Sequence, residues 1–132
     1  MSANKQGIHH VAMKAADFDA TVKFYTEGLG FVRKFGWGEG AEQAALLDSG
    51  NGNYLEVFAG GQLNPPDGNY MHVAFRSDDV DTDFARALNA GAVPTIEPKD
   101  VPIEGDKLLT FRIAFCKGLN GEVIEFFQND EL

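Results

Sequence analysis

Cysteine is almost missing from this sequence: Cys116 is the only one in 132 residues, so no disulfide can form within the chain. One thiolate is also too few for a sulfur-built zinc centre, and its isolation fits a reducing compartment. Any metal here must rest on nitrogen and oxygen ligands. Long apolar runs are missing too. Nothing approaches the roughly 18 to 20 residues that a membrane span needs, and the opening residues lack the apolar stretch of a signal peptide. We therefore expect a cytoplasmic protein with no membrane partner. Positive charge is scarce, with eleven Lys and Arg against twenty Asp and Glu, and no basic cluster stands out. A net charge of -9 repels phosphate backbones, which argues against nucleic acid and for a small-molecule partner. What remains is ordinary. With 44% hydrophobic and 23% charged residues the chain should fold, and its length fits a single domain, 1–132.

The sequence repeats itself. Residues 10–19 align with residues 72–81 at an offset of 62, identical at five of ten positions and with Lys14 facing Arg76. Further on, Ala45, Asn51, Gly52, Glu56 and Phe58 recur as Ala114, Asn120, Gly121, Glu125 and Phe127 at an offset of 69. The second copy is therefore seven residues longer in its middle. Three prolines in a polar setting, Pro94, Pro98 and Pro102, place that extra length in a loop over residues 94–105. Each copy opens on a short apolar strand, residues 7–14 and 69–76. A helix should follow each. In the first, Phe18, Val22, Tyr25 and Leu29 recur at helical spacing between Asp17 and Gly28/Gly30; in the second, Val80, Phe84 and Leu88 do so before Gly91. Three more strands per copy give the order β-α-β-β-β twice, in module 1 (about 7–61) and module 2 (about 69–128).

Side chains alternate across a strand, so Ile8, His10, Ala12 and Lys14 should share one face and His9, Val11 and Met13 the other. The same rule groups Tyr70, His72, Ala74 and Arg76, then Tyr54, Glu56 and Phe58, then Val123, Glu125 and Phe127. A Glu set between apolar neighbours is costly to bury unless something compensates its charge. Taken singly, a strand His is more often a hydrogen-bonded core residue than a ligand, and a Glu at a strand end usually faces water. The duplication changes that balance, because it pairs His10 with His72 and Glu56 with Glu125. A pseudo-twofold axis can bring all four to one divalent cation.

These segments resemble the vicinal oxygen chelate superfamily, which includes glyoxalase I, bleomycin-resistance proteins, methylmalonyl-CoA epimerase and extradiol dioxygenases. The resemblance rests on residues 8–14, on Phe24-Tyr25 with Leu29-Gly30-Phe31, and on residues 54–58, 71–75 and 120–126. It implies an α+β fold in which two βαβββ modules form a curved mixed-sheet cup. It also implies metal ligands His10, Glu56, His72 and Glu125 around one divalent ion, Ni or Zn foremost, with Co, Mn and Fe admissible. The activity implied is that of a metal-dependent lyase or isomerase of glyoxalase type, moving a proton by way of a metal-chelated enediolate. Glu125 would be the base and Glu56 its symmetric partner.

Four ligands leave two positions on an octahedral ion, which speaks against an extradiol dioxygenase. So does His9, the one spare imidazole, if it lies on the opposite face. Lys14 and the run Ala59-Gly60-Gly61 depart from the glyoxalase I pattern where it binds glutathione. The alternatives are an epimerase of the same superfamily and a non-catalytic binding or resistance protein. The expected substrate is a thiol adduct or anionic metabolite. Lys14 and Arg76 lie on the ligand face where they could hold an anionic end, although charges at strand ends are more often simply solvated. Trp37 is either a rim residue or a lone exposed aromatic, and Lys99 and Lys107 fall on the inserted loop. A homodimer is expected.

Overall fold

The computed structural model describes residues 7–132. Module 1 consists of strand β1 (Ile8–Lys14), helix α1 (Phe18–Lys23) running into a π-helical turn (Phe24–Gly28), and strands β2 (Val32–Trp37), β3 (Ala44–Asp48) and β4 (Tyr54–Phe58). Module 2 repeats the order with β5 (Tyr70–Arg76), α2 (Val80–Asn89), β6 (Val93–Glu104), β7 (Leu108–Lys117) and β8 (Val123–Gln128). One mixed eight-stranded sheet contains both, in the order β2-β3-β4-β1-β5-β8-β7-β6. β1 and β5 run antiparallel at its centre, each flanked by a parallel partner, β4 and β8. The pseudo-twofold expected from the repeat therefore passes between β1 and β5.

Both helices begin where the aspartates place them. The Asp17 side chain accepts from Ala20 N–H and the Asp79 side chain from Thr82 N–H, satisfying donors that the first helical turn leaves free. Phe18, Val22 and Tyr25 pack on Met13, Ala45, Leu47 and Val57 on the convex side of module 1. Leu29 has left that row and is exposed, since the chain widens into the π-helical turn, with Leu29 N–H donating to Phe24 O, and the α-helical spacing is lost before reaching it. On module 2, Val80 and Phe84 cover Ala114 and Cys116. The concave side holds a third cluster, in which Phe35, Leu46, Tyr54, Phe111, Ile113 and Phe127 are buried and Trp37 and Phe115 pack against them.

Three sequence expectations are corrected here. Residues 94–105 form no loop; they belong almost entirely to the twelve-residue strand β6, paired along its length with β7. Proline tolerates this because β6 is an edge strand with bulges at Pro94/Ile96 and Ile96/Lys99, so the missing N–H groups need no partner. Next, β1 and β5 do not alternate strictly, since their register shifts between Ile8 and His10 and again between Ala12 and Met13. A bulge moves the residues beyond it to the other face. Ile8 and Tyr70 consequently border a convex-side cleft with Val11 and Leu55, away from His10 and His72. His9 is the third case and is treated below.

The long β6–β7 hairpin reaches across the cup. Gly105 forms a bridge with Trp37, Asp106 N–H donates to Gly36 O, and the Asp106 carboxylate receives Arg33 at 2.7 Å and Gly36 N–H at 3.1 Å. The two edges of the sheet thus meet, and the cup is closed along one seam.

Candidate metal centre

His10 lies on β1, Glu56 on β4, His72 on β5 and Glu125 on β8, the four central strands of the sheet. The pairing sets Ala12 beside both Glu56 and His72, and Ala74 beside both His10 and Glu125. A methyl group at each crossing leaves the larger side chains room to converge. All four expected residues come together, and all four come from one chain. His10 Nε2 stands 3.1 Å from Glu56 Oε1 and 3.1 Å from Glu125 Oε1. His72 Nε2 stands 3.7 Å from Glu56 Oε1 and 3.0 Å from Glu125 Oε1.

These spacings fit a cation. Donors bound at about 2.1 Å and at right angles to one another stand about 3 Å apart. His10, Glu56 and His72 each offer a donor atom within 4.8 Å of the others, and Glu125 touches both imidazoles. His72 Nε2 is buried and makes no aligned hydrogen bond although a carboxylate oxygen is close by. That geometry suits a ring nitrogen aimed at a shared centre better than one donating a proton. Two ionised carboxylates carry a charge of -2, which a proton on His10 offsets only in part and a divalent ion cancels with both imidazoles neutral. With the side chains only 1% to 9% exposed, leaving that charge uncompensated is expensive. The oxygen and nitrogen set suits first-row divalent metals.

Electrostatics reflect the crowding. Burial disfavours charging His10, yet Glu56 and Glu125 outweigh it and raise its pKa to about 9. Burial pushes the Glu125 carboxyl up, but His10 and His72 more than reverse this and hold it below its ordinary value. His9 is driven the other way, to about 2, by burial first and then by His10 and Arg76.

The remaining expectations divide. His9 is not on the opposite face: the bulge at the start of β1 turns it onto the concave wall, fully buried, its ring 3.9 Å from Phe127 and its Nδ1 2.8 Å from His10 Nδ1. Strict alternation could not reveal this, although two consecutive histidines were a visible signal. Because it meets His10 on the side away from Glu56 and Glu125, it stands behind a ligand rather than at an open position. Arg76 donates from both terminal nitrogens to backbone oxygens, those of Gly52 and Leu132, rather than standing free for a substrate. Lys14 is exposed beside a cavity of about 340 Å³ that Gly60, Gly61 and Met71 also line. Trp37 packs on Phe35, Phe58 and Phe111 at the seam. Lys107 pairs with Glu131 at 2.6 Å, and Lys99 lies within β6. Aromatic walls flank the imidazoles, Phe115 against His72 and Phe127 against His9 and His10; strand alternation already grouped Phe127 with Glu125, whereas no sequence pattern singled out Phe115.

A duplicated βαβββ cup with two His/Glu pairs at its centre defines a class, and the sequence places the chain within it. Residues 7–126 match the family described as Glyoxalase/Bleomycin resistance protein/Dioxygenase superfamily, and the chain belongs to that family. A probable lactoylglutathione lyase of Vibrio cholerae is 31% identical over 94% of this chain and 91% of its own length. An uncharacterized protein of Bacillus subtilis is 28% identical over 92% of this chain and 96% of its own. Among solved structures, methylmalonyl-CoA epimerase from Mycobacterium tuberculosis superposes with a TM-score of 0.76 at 20% identity, covering 98% of this chain and 92% of that one. A methylmalonyl-CoA epimerase in complex with methylmalonyl-CoA and NH4+ gives 0.74 at 21% identity, with 97% of each chain covered. At these identities the likeness establishes the fold.

Proposed function

We propose that the protein is a metal-dependent lyase or isomerase of glyoxalase type, moving a proton between adjacent carbons of a small substrate with two neighbouring oxygens. The observation that carries this reading is the convergence of two imidazole nitrogens and two carboxylate oxygens at 3.0–3.7 Å. His10, Glu56, His72 and Glu125 would hold the ion, nickel or zinc foremost. When bound, a divalent ion supplies Lewis-acid polarisation of the two substrate oxygens, making the adjacent C–H acidic.

Glu125 takes the carbon proton and returns it to the neighbouring carbon, and Glu56 is placed to do the same from the other module. Phe115 and Phe127 wall the imidazoles with apolar surface, where electrostatic interactions are stronger than in water. A homodimer in the cytoplasm completes the reading; each chain supplies a full donor set by itself.

A probable lactoylglutathione lyase among the relatives supports the glyoxalase branch. The stretch Ala59-Gly60-Gly61 and an Arg76 occupied by backbone oxygens leave little to grip glutathione, which favours a different thiol adduct or anionic metabolite. An epimerase removing a proton next to a thioester would use the same two carboxylates.

Purified protein supplied with Ni²⁺ or Zn²⁺ should retain one ion per chain by elemental analysis, and His10→Ala with His72→Ala should abolish this. The loaded protein should catalyse exchange of a substrate C–H with solvent deuterium, assayed on the hemithioacetal of methylglyoxal and glutathione and on methylmalonyl-CoA. Exchange on the second alone assigns the epimerase branch. A protein that retains no metal and exchanges neither is a binding protein, and the proposal fails.

A further inference from the structure

β1 presents two adjacent histidines to the same wall of the cup, and the ligand reading given above uses only one. His10 directs Nε2 at Glu56 and Glu125, each 3.1 Å away. Its other nitrogen, Nδ1, lies 2.8 Å from His9 Nδ1. Two ring nitrogens this close must share one proton, because two lone pairs or two N–H groups facing each other would repel.

For Nε2 of His10 to give its lone pair to a cation, a neutral His10 must keep its proton on Nδ1. The bond then has a direction: His10 Nδ1–H donates and His9 Nδ1 accepts, leaving His9 neutral with its own proton on Nε2. The surroundings of His9 suit a neutral ring, with Phe127 at 3.9 Å and Tyr54 at 4.9 Å and no solvent exposure. We infer that His9 is a positioning residue that fixes His10 in the tautomer whose Nε2 is free for a metal. The inference rests on the proposed metal site.

The device belongs to one half of the molecule. At the repeat offset of 62, the counterpart of His9 is Met71, which is 37% exposed and has no ring nitrogen to offer His72. The second register shift, between Ala12 and Met13, falls at Met71 on β5, so the two halves share the bulge and differ in the ring that only His9 supplies.

With only three histidines in the chain, ¹⁵N-histidine labelling and long-range ¹H–¹⁵N correlation spectra can read each ring nitrogen. Zinc-free and zinc-loaded wild-type protein should both show His9 with a bare Nδ1 and a protonated Nε2. A proton on His9 Nδ1 would reverse the bond and overturn the inference, whether or not zinc is taken up. Failure of the wild type to take up zinc would instead sink the metal reading, so the two failures are separable. Competition against a chelator gives a second readout. His9→Leu should weaken zinc binding by about 10- to 100-fold, the range for outer partners of a ligating imidazole. His9→Asn, which places an acceptor oxygen near the former Nδ1, should recover most of that loss, and Met71→Leu should change nothing. A folded His9→Leu protein that binds zinc as tightly as wild type would also contradict the assignment.

Discussion

In module 1 the two strands that follow the helix, β2 and β3, are six and five residues long; their counterparts in module 2, β6 and β7, are twelve and ten. The donor-bearing strands show no such divergence. β1 and β5 have seven residues each, and β4 and β8 have five and six. The insertion is therefore confined to the hairpin farthest from the donors within module 2. Two His/Glu pairs related by a pseudo-twofold require matched inner strands, whereas a closed cup requires one edge to reach the other. Duplication supplies the first requirement, and unequal growth of one hairpin meets the second.

The strongest challenge to this comparison is to remove the donors one module at a time. His10→Ala with Glu56→Ala, and separately His72→Ala with Glu125→Ala, should each lower zinc affinity by well over the ~100-fold seen for outer-shell changes. Chelator competition should give losses of similar size, and a site that survives either deletion would break the symmetry.

The repeat-equivalent cations should differ more sharply. Arg76→Ala removes hydrogen bonds from a charged group to two backbone oxygens and should cost about 1.5–3 kcal/mol in urea unfolding. Exposed Lys14→Ala should stay within about 0.5 kcal/mol. The seam can be wedged as well. A Cβ on Gly105 would lie 2.2 Å from Gly36 O and 2.8 Å from Trp37 Cβ. Gly105→Ala should therefore cost about 1–3 kcal/mol, as overpacking does, and leave zinc binding intact.

The smallest expected effect is electrostatic. Arg33 holds the Asp106 carboxyl below its ordinary value, with burial opposing and Gly36 N–H adding to the shift. A depressed folded-state value contributes stability that is fully present above the unfolded-state value and lost as pH falls through the folded one. Urea midpoints of wild type and Asp106→Asn should thus differ near pH 6, begin to close as pH falls below about 4, and meet only under the depressed folded-state value. A gap that persists in acid would remove the ion pair from the account of the seam.

Much of this was legible in the sequence because the repeat carried it. Pairing His10 with His72 and Glu56 with Glu125 needs only two offsets, and the first helix start follows from Asp17, while the matching cap of Asp79 on the second is found in the structure. The errors have physical causes. Pro94, Pro98 and Pro102 suggested a loop because proline has no N–H to pair, but an edge strand leaves alternate N–H groups unpaired in any case. Strict alternation puts His9 on the wrong face because a bulge breaks the period of two; the consecutive histidines mark the place without announcing the bulge itself. Closure of the seam depends on backbone meeting backbone at Gly36, Trp37 and Gly105, where side-chain patterns carry no signal.

The most direct test of the central claim is X-ray absorption fine structure of nickel-loaded protein combined with elemental analysis. The account predicts one ion per chain, a first shell of nitrogen and oxygen only, and outer scattering from two imidazoles. Fewer than two imidazoles, a sulfur ligand, or half an ion per chain would contradict it.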